Sequence, residues 1–117
     1  MINTNLAQAQ VFGVSAAGAD LTGANLMQAH IEQVDFIYAT LVETNLSGVK
    51  YVINVNFRGA TLVSINLSGL DLTTANFCRV RRLDAVDFTG SDLSGAVWTT
   101  CERCQPGSIG MCILQER

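Results

Sequence analysis

The residues of this 117-residue chain whose types could do chemistry are four cysteines, one histidine and a short run of arginines. The cysteines are Cys78, Cys101, Cys104 and Cys112, three of them in the tail TTCERCQPGSIGMCILQER. Thiols pair as disulfides, ligate zinc or act as nucleophiles, and spacing helps to choose among these. One Cys-x-x-Cys is present, Cys101 to Cys104, but the second pair expected of a four-thiolate zinc site is missing. Disulfides, free thiols and a zinc site built from all four cysteines stand as alternatives at this point. No strand–helix–strand context surrounds the Cys-x-x-Cys, so thioredoxin-like chemistry is not expected. His30, the only histidine, sits immediately before Ile31, where a surface residue is expected. The segment CRVRRLDAVDF carries Arg79, Arg81 and Arg82. It reads either as a patch for an anion or acidic partner, or as a solvated loop whose charges meet Asp84 and Asp87. Aromatic residues do not interleave with these arginines as nucleic-acid binding would favour. There is no glycine-rich phosphate loop, nucleophile elbow or histidine-containing metal motif, and the carboxylates occur singly. The chain is not expected to be an enzyme, and no catalytic, cofactor-binding or metal-binding residue is expected.

The elements that would have to position these residues are neither ordinary helices nor ordinary strands. Apolar residues make up 49% of the chain and charged residues 15%, a composition suited to a packed core. The net charge of −3 is far from the basic balance of a nucleic-acid binder, so no nucleic-acid partner is expected. No apolar run approaches the roughly 18 residues of a membrane span, and no membrane association is expected. The opening MINTNLAQAQ has neither a basic nor an apolar signal-peptide region, so no signal peptide is expected within it. The single proline is Pro106, and ten glycines are spread along the chain.

In ADLTGANLMQAHIEQVDF, residues 19–36, the large apolar residues fall at Leu21, Leu26, Ile31 and Phe36. A period of five fits neither the 3.6 of a helix face nor the 2 of a half-buried strand. Extended along the chain, the centres read Leu6, Val11, Ala16, Leu21, Leu26, Ile31, Phe36, Leu41, Leu46 and Tyr51. After one extra residue they resume at Phe57, Leu62, Leu67, Leu72 and Phe77, and after a second at Leu83, Phe88, Leu93 and Trp98. A small or β-branched residue usually stands two places before the centre, and Asn or Asp one place before it. Glycine often closes the unit.

This unit, A-[DN]-L-x-G, resembles the repeat of the pentapeptide repeat family over residues 4–100. The resemblance implies an all-β, right-handed quadrilateral parallel β-helix of about five coils, four units to each coil. Residues 1–100 would then form the solenoid and residues 101–117 a C-terminal capping tail. With coils of about twenty residues, every fourth centre stacks. One column then reads Ala16, Phe36, Phe57, Phe77 and Trp98, a second Leu21, Leu41, Leu62 and Leu83, and a third Leu6, Leu26, Leu46, Leu67 and Phe88. The two insertions keep the aromatic residues in one column. Asn5, Asn25, Asn45, Asn66 and Asp87 form a candidate polar ladder between coils.

From Trp98 the tail runs W-x5-C-x-x-G-S-I-G-x-C, which is similar to a closure found in exported members of the family. That similarity implies a disulfide between Cys104 and Cys112, and with it an extracytoplasmic setting such as periplasm, thylakoid lumen or a secreted protein. Ile109, Ile113 and Leu114 are expected to cover the last coil. At the other end Ala16 leaves the first coil poorly filled unless Phe12 folds in, so self-association through an end coil, the N-terminal one, is expected. The functional expectation is a non-enzymatic scaffold or binding module for a protein partner. The alternative, drawn from the family, is a DNA mimic that modulates DNA gyrase or topoisomerase.

Overall fold

The computed structural model describes residues 5–49 and 51–114. Among these there is no helix. Six short strands form two parallel sheets. Strands β1 (Gln10–Phe12), β2 (His30–Glu32) and β4 (Tyr51–Ile53) make one sheet, and β3 (Thr40–Val42), β5 (Thr61–Val63) and β6 (Arg82–Asp84) make the other. Single-residue parallel bridges such as Asn5 with Asn25, Asn25 with Asn45 and Asn66 with Asp87 line the remaining two faces. The chain therefore returns to each face after 20 or 21 residues, as an all-β parallel solenoid must.

The unit follows from where its backbone groups go. The N–H of a centre donates to the next coil, as from Leu6 to Asn25 O at 2.7 Å and from Leu26 to Asn45 O at 2.8 Å. The centre's carbonyl then accepts from the N–H three residues on, as Leu21 O does from Ala24 and Phe57 O from Ala60, each at 3.0 Å. That bond closes a tight turn whose third residue sits at positive φ, where glycine carries no Cβ penalty. Gly23 (φ +69°) is one example, while Gln28 and Arg79 hold the same conformation with a side chain attached. At Gly59 (φ +69°) glycine is needed twice over, because an added Cβ would come within 2.5 Å of the Tyr38 ring lying across it.

Asn and Asp mark most of the units that turn tightly, the exceptions being those of Ser15 and Val97. All eleven that precede a centre, from Asn5 to Asp92, accept a hydrogen bond at Oδ1 from the N–H two residues on, at 2.8–3.1 Å. The side chain thereby takes the N–H that a continuing strand would offer to its neighbour. Every three-residue strand instead has a different residue before its centre: Gln10, His30, Thr40, Tyr51, Thr61 or Arg82. This corrects the polar-ladder expectation. Asn5, Asn25, Asn45, Asn66 and Asp87 do stack in register, but their side-chain oxygens bond to their own turns rather than to the next coil.

Inside, the rings of Phe36 and Phe57 stack at 5.5 Å and those of Phe57 and Phe77 at 5.1 Å. Trp98 meets Phe77 edge-on at 5.6 Å. Leu21, Leu41 and Leu62 are buried, and Leu62 pairs in register with Leu83. The first insertion requires a correction, since the buried centre of its unit is Val52, not Tyr51. Val52 is in register with Ile31, and Tyr51 takes the place of His30. The Val49 N–H still closes its turn onto Leu46 O. Two adjacent apolar residues give a five-residue period no means of choosing between them, whereas strand pairing places Val52 in register with the centre Ile31. Phe12 does not fold in. It remains 47% exposed against the edge of His30, and an apolar cavity of about 50 Å³ lies by Ala16, bordered by Leu6, Val11, Leu21 and Phe36.

Two predictions follow from this packing. Phe57→Ala, near the middle of the aromatic column, is expected to cost about 3–5 kcal/mol. Chemical denaturation measures it, and a loss below about 1 kcal/mol would refute the stacked column. The second concerns pH. The Thr22 hydroxyl and then its amide hold Asp20 below its ordinary pKa of 3.8; the Thr89 hydroxyl and amide do the same for Asp87, and the Ser94 amide and hydroxyl for Asp92. Depressed carboxyls contribute stability that is present above the unfolded value of about 3.9 and lost as pH falls through the lower folded value. The urea midpoint is therefore expected to hold steady from neutrality to about pH 5 and then fall. In D20N/D87N/D92N, which keeps the oxygen acceptor, the fall should be smaller, and an equal fall would remove the turn-capping account.

Candidate functional site

The residues with chemical potential gather at the C-terminal end of the solenoid. Cys78 follows the centre Phe77, and its N–H donates to Asn76 Oδ1 at 2.8 Å. Cys101 closes the turn after the centre Trp98, its N–H donating to Trp98 O at 2.8 Å. Stacking of Phe77 under Trp98 brings these two turns together, and Cys78 and Cys101 form a disulfide with Cα atoms 4.4 Å apart. Neither a motif nor a spacing in the sequence marked this pair. The signal that could have found it is the column itself, since both residues follow aromatic centres one coil apart.

Beyond Cys101 the chain reverses and lies antiparallel on the last coil. Val97 bridges Arg103 and Asp92 bridges Ile109. Trp98 N–H donates to Glu102 O, Gly95 N–H to Cys104 O and Leu93 N–H to Ser108 O, at 2.7–2.9 Å. The reversal places Cys104 and Cys112 in a second disulfide, with Cα atoms 5.1 Å apart. Cys104 is 3% exposed and joins the core. Ser108 is fully buried, its hydroxyl donating to Gln105 O at 2.6 Å and accepting from Ile113 N–H at 3.0 Å. Sulfur and a satisfied hydroxyl thus cover Leu93 and Trp98. The expected apolar cover is corrected for Ile109 and Ile113, which are exposed, whereas Leu114 is half-buried. Antiparallel pairing turns alternate residues of the tail outward, so its isoleucines cannot all face the coil.

The four-cysteine zinc reading does not survive this arrangement. Each sulfur is committed to a disulfide, and among the described residues no group of three or more His, Cys, Asp or Glu side chains is placed to hold a metal ion. Of the arginines, Arg82 donates to Asp84 at 3.1 Å, with both side chains mostly exposed. Among the described residues no ion pair joins these arginines to Asp87, whose Oδ1 accepts from Thr89 N–H. Arg79 and Arg81 are exposed beside them. His30 lies half-buried on the opposite sheet, 3.2 Å from Glu32 and edge-on to Phe12. A groove of about 360 Å³ runs beside the first insertion, between Val52, Ile53, Leu70 and Thr74. Its one described carboxyl, Asp71, accepts both the N–H and the hydroxyl of Thr73, at 3.0 and 2.6 Å. No second titratable side chain faces it among the described lining residues, so the groove lacks an acid–base pair.

Comparison with known proteins agrees with this architecture. The family model for pentapeptide repeats matches in eight copies, over residues 17–50 and 53–81, more than half of the chain. The chain belongs to the pentapeptide repeat family. No curated protein sequence matches it. Among solved structures, a pentapeptide repeat protein of the Arabidopsis thaliana thylakoid lumen, AT2G44920, is 16% identical with a TM-score of 0.74, over 94% of this chain and 81% of that one. HetL, a pentapeptide repeat protein involved in heterocyst differentiation regulation in the cyanobacterium Nostoc sp. strain PCC 7120, is 22% identical with a TM-score of 0.56 over 80% of this chain. This chain spans 39% of HetL's length. At these identities the likeness is one of fold.

The disulfides make a direct prediction. Alkylation of the unfolded, unreduced protein is expected to label no cysteine, and peptide maps are expected to show Cys78 joined to Cys101 and Cys104 joined to Cys112. By loop length, C104S/C112S should cost about 2.5 kcal/mol and C78S/C101S, which closes the longer loop, about 3.5 kcal/mol. Four alkylatable thiols in the native protein would refute both bonds.

Proposed function

We propose that the protein is a non-enzymatic solenoid that binds a protein partner across its flat sheet faces, in a compartment oxidising enough to keep its disulfides. The observation that carries this reading is that the repeat uses its own polar groups. The Asn and Asp side chains before the centres are tied to backbone N–H groups, and no described cleft pairs titratable side chains. What remains for function is a rigid surface of outward residues held at fixed spacing by stacked coils, the form in which repeat proteins commonly bind. Two disulfides on a small domain support the oxidising setting, since cytosolic thiols are kept reduced.

The DNA-mimic reading finds no specific support. The carboxylates on the face of β1, β2 and β4 are Glu32, Asp71 and Asp92, and the last two have Oδ1 engaged by their own turns. Affinity capture with face-specific variants tests the proposal. Glu32→Lys alters one sheet face and Glu43→Lys the other, and both leave the core untouched. The expected result is a partner retained by the parent protein and lost by one variant alone. Retention that neither variant changes, or no retained protein, would overturn it. Gyrase supercoiling is expected to be unaffected at micromolar protein, and inhibition would favour the alternative.

A further inference from the structure

The C-terminal closure covers only half of the end that it closes. The reversed tail pairs with Asp92 and Val97 and shields Leu93 and Trp98 behind them. On the neighbouring face the last strand, β6, bonds to β5 along one edge, and no strand among the described residues takes its other edge. The consequence shows in the second column, where Leu21, Leu41 and Leu62 are 2%, 0% and 1% exposed but Leu83 is 36% exposed. Ile109, Met111 and Ile113 of the tail add exposed apolar side chains at the same end. Clustered apolar surface beside an unpaired strand edge is a template for association.

We propose that this end joins two copies of the chain, paired antiparallel along the free edge of β6. The strand is complementary to itself in that arrangement. With Leu83 opposite Leu83 of the partner subunit, Arg82 stands opposite Asp84 of the partner subunit, and Asp84 opposite Arg82 of the partner subunit. Arg81 stands opposite Ala85 of the partner subunit. Arg82 and Asp84, paired with each other within the strand, thus also meet opposite charges across the two-fold, no like charges face each other, and the exposed leucines cover one another. The contact is isologous, so it closes at two copies instead of growing a filament. An extended acidic segment from another protein would also find Arg79, Arg81 and Arg82, but would set its carboxylates against Asp84. The second copy satisfies both signs of charge. A three-residue strand with a few apolar neighbours lies at the small end of interfaces, so the dimer is readily reversible. This inference is independent of the partner reading above, and either can fail without the other.

Sedimentation equilibrium on the full chain, from about 5 to 500 μM, is the test. The parent protein is expected to pass from monomer to dimer, with association weakening as salt rises. Leu83→Asp and Arg82→Asp are each expected to weaken association by roughly tenfold or more. The double swap R82D/D84R should recover most of the loss from R82D, because it restores opposite charges across the two-fold. Arg82 and Asp84 are largely exposed, so circular dichroism is expected to show both swap variants folded. A monomer over the whole range overturns the proposal. So does a dimer indifferent to L83D and R82D, which would place the contact elsewhere, as at the N-terminal coil. A double swap no better than the single one also overturns it.

Discussion

Eleven tight corners of this solenoid share one hydrogen bond, from the side-chain oxygen of Asn or Asp to the backbone N–H two residues ahead. A chain that turns every five residues leaves backbone donors and acceptors at its corners, and those groups must be satisfied. The Asx oxygen removes one donor, the centre's carbonyl takes the N–H three residues on, and the remaining groups reach the adjacent coils. Where the Asx residue is replaced by Thr, His or Gln, the chain stays extended and forms the two sheets. Strand and turn thus alternate around the solenoid through a choice made one residue before each buried centre. The hydroxyls of Thr22 and Thr89, with the turn amides, and the Ser94 amide with its hydroxyl hold Asp20, Asp87 and Asp92 ionised to lower pH, which links the corners to acid stability.

The core that these corners enclose is narrow, so the identity of each stacked residue matters. Phenylalanine rings 5.1 and 5.5 Å apart fill one column nearly in parallel, and Trp98 and Phe88 finish it with edge-on contacts. The insertions beside β4 and β6 preserve that column by lengthening the coil to 21 residues where needed. At Ala16 the column has no ring, and an apolar gap marks the place. A solenoid cannot borrow atoms from a distant part of the chain to close such a gap, because each coil touches only its neighbours.

The ends are where a repeat stops solving its own problem. At the C-terminus the chain folds back antiparallel, and two disulfides hold it there, Cys78–Cys101 tying the tail to the previous coil and Cys104–Cys112 closing the tail on itself. Two buried polar groups, Ser91 and Ser108, find carbonyl partners in this region, so the cap leaves no described buried side-chain polar atom unpaired. The closure is asymmetric, since a single reversed segment cannot pair with all four faces of a quadrilateral. Among the described residues that asymmetry leaves β6 as an edge and Leu83 as its exposed member.

Much of the fold was legible in the residues alone. A five-residue period with Asx before most centres excludes both helix and flat sheet, and the family resemblance carried by that unit implies a quadrilateral solenoid in which every fourth centre stacks. The positions of both insertions to within a few residues, and the column of Phe36, Phe57 and Phe77, were readable for the same reason. Choosing Val52 over Tyr51 was not, since burial at an insertion depends on the pleat of the neighbouring strand. The bonding of the Asx side chains was also hidden, because a column of asparagines suits a ladder as well as a row of turns until the oxygen positions are known. Cys78 and Cys101 lie 23 residues apart, and only the stacking of one coil on another brings them together. Local residue types determined the turns, the period and the buried centres, which are matters of near neighbours along the chain. Tertiary structure alone decided the reversal of the tail, the pairing of its sulfurs and the exposure of Leu83 on β6, because each depends on contacts between coils.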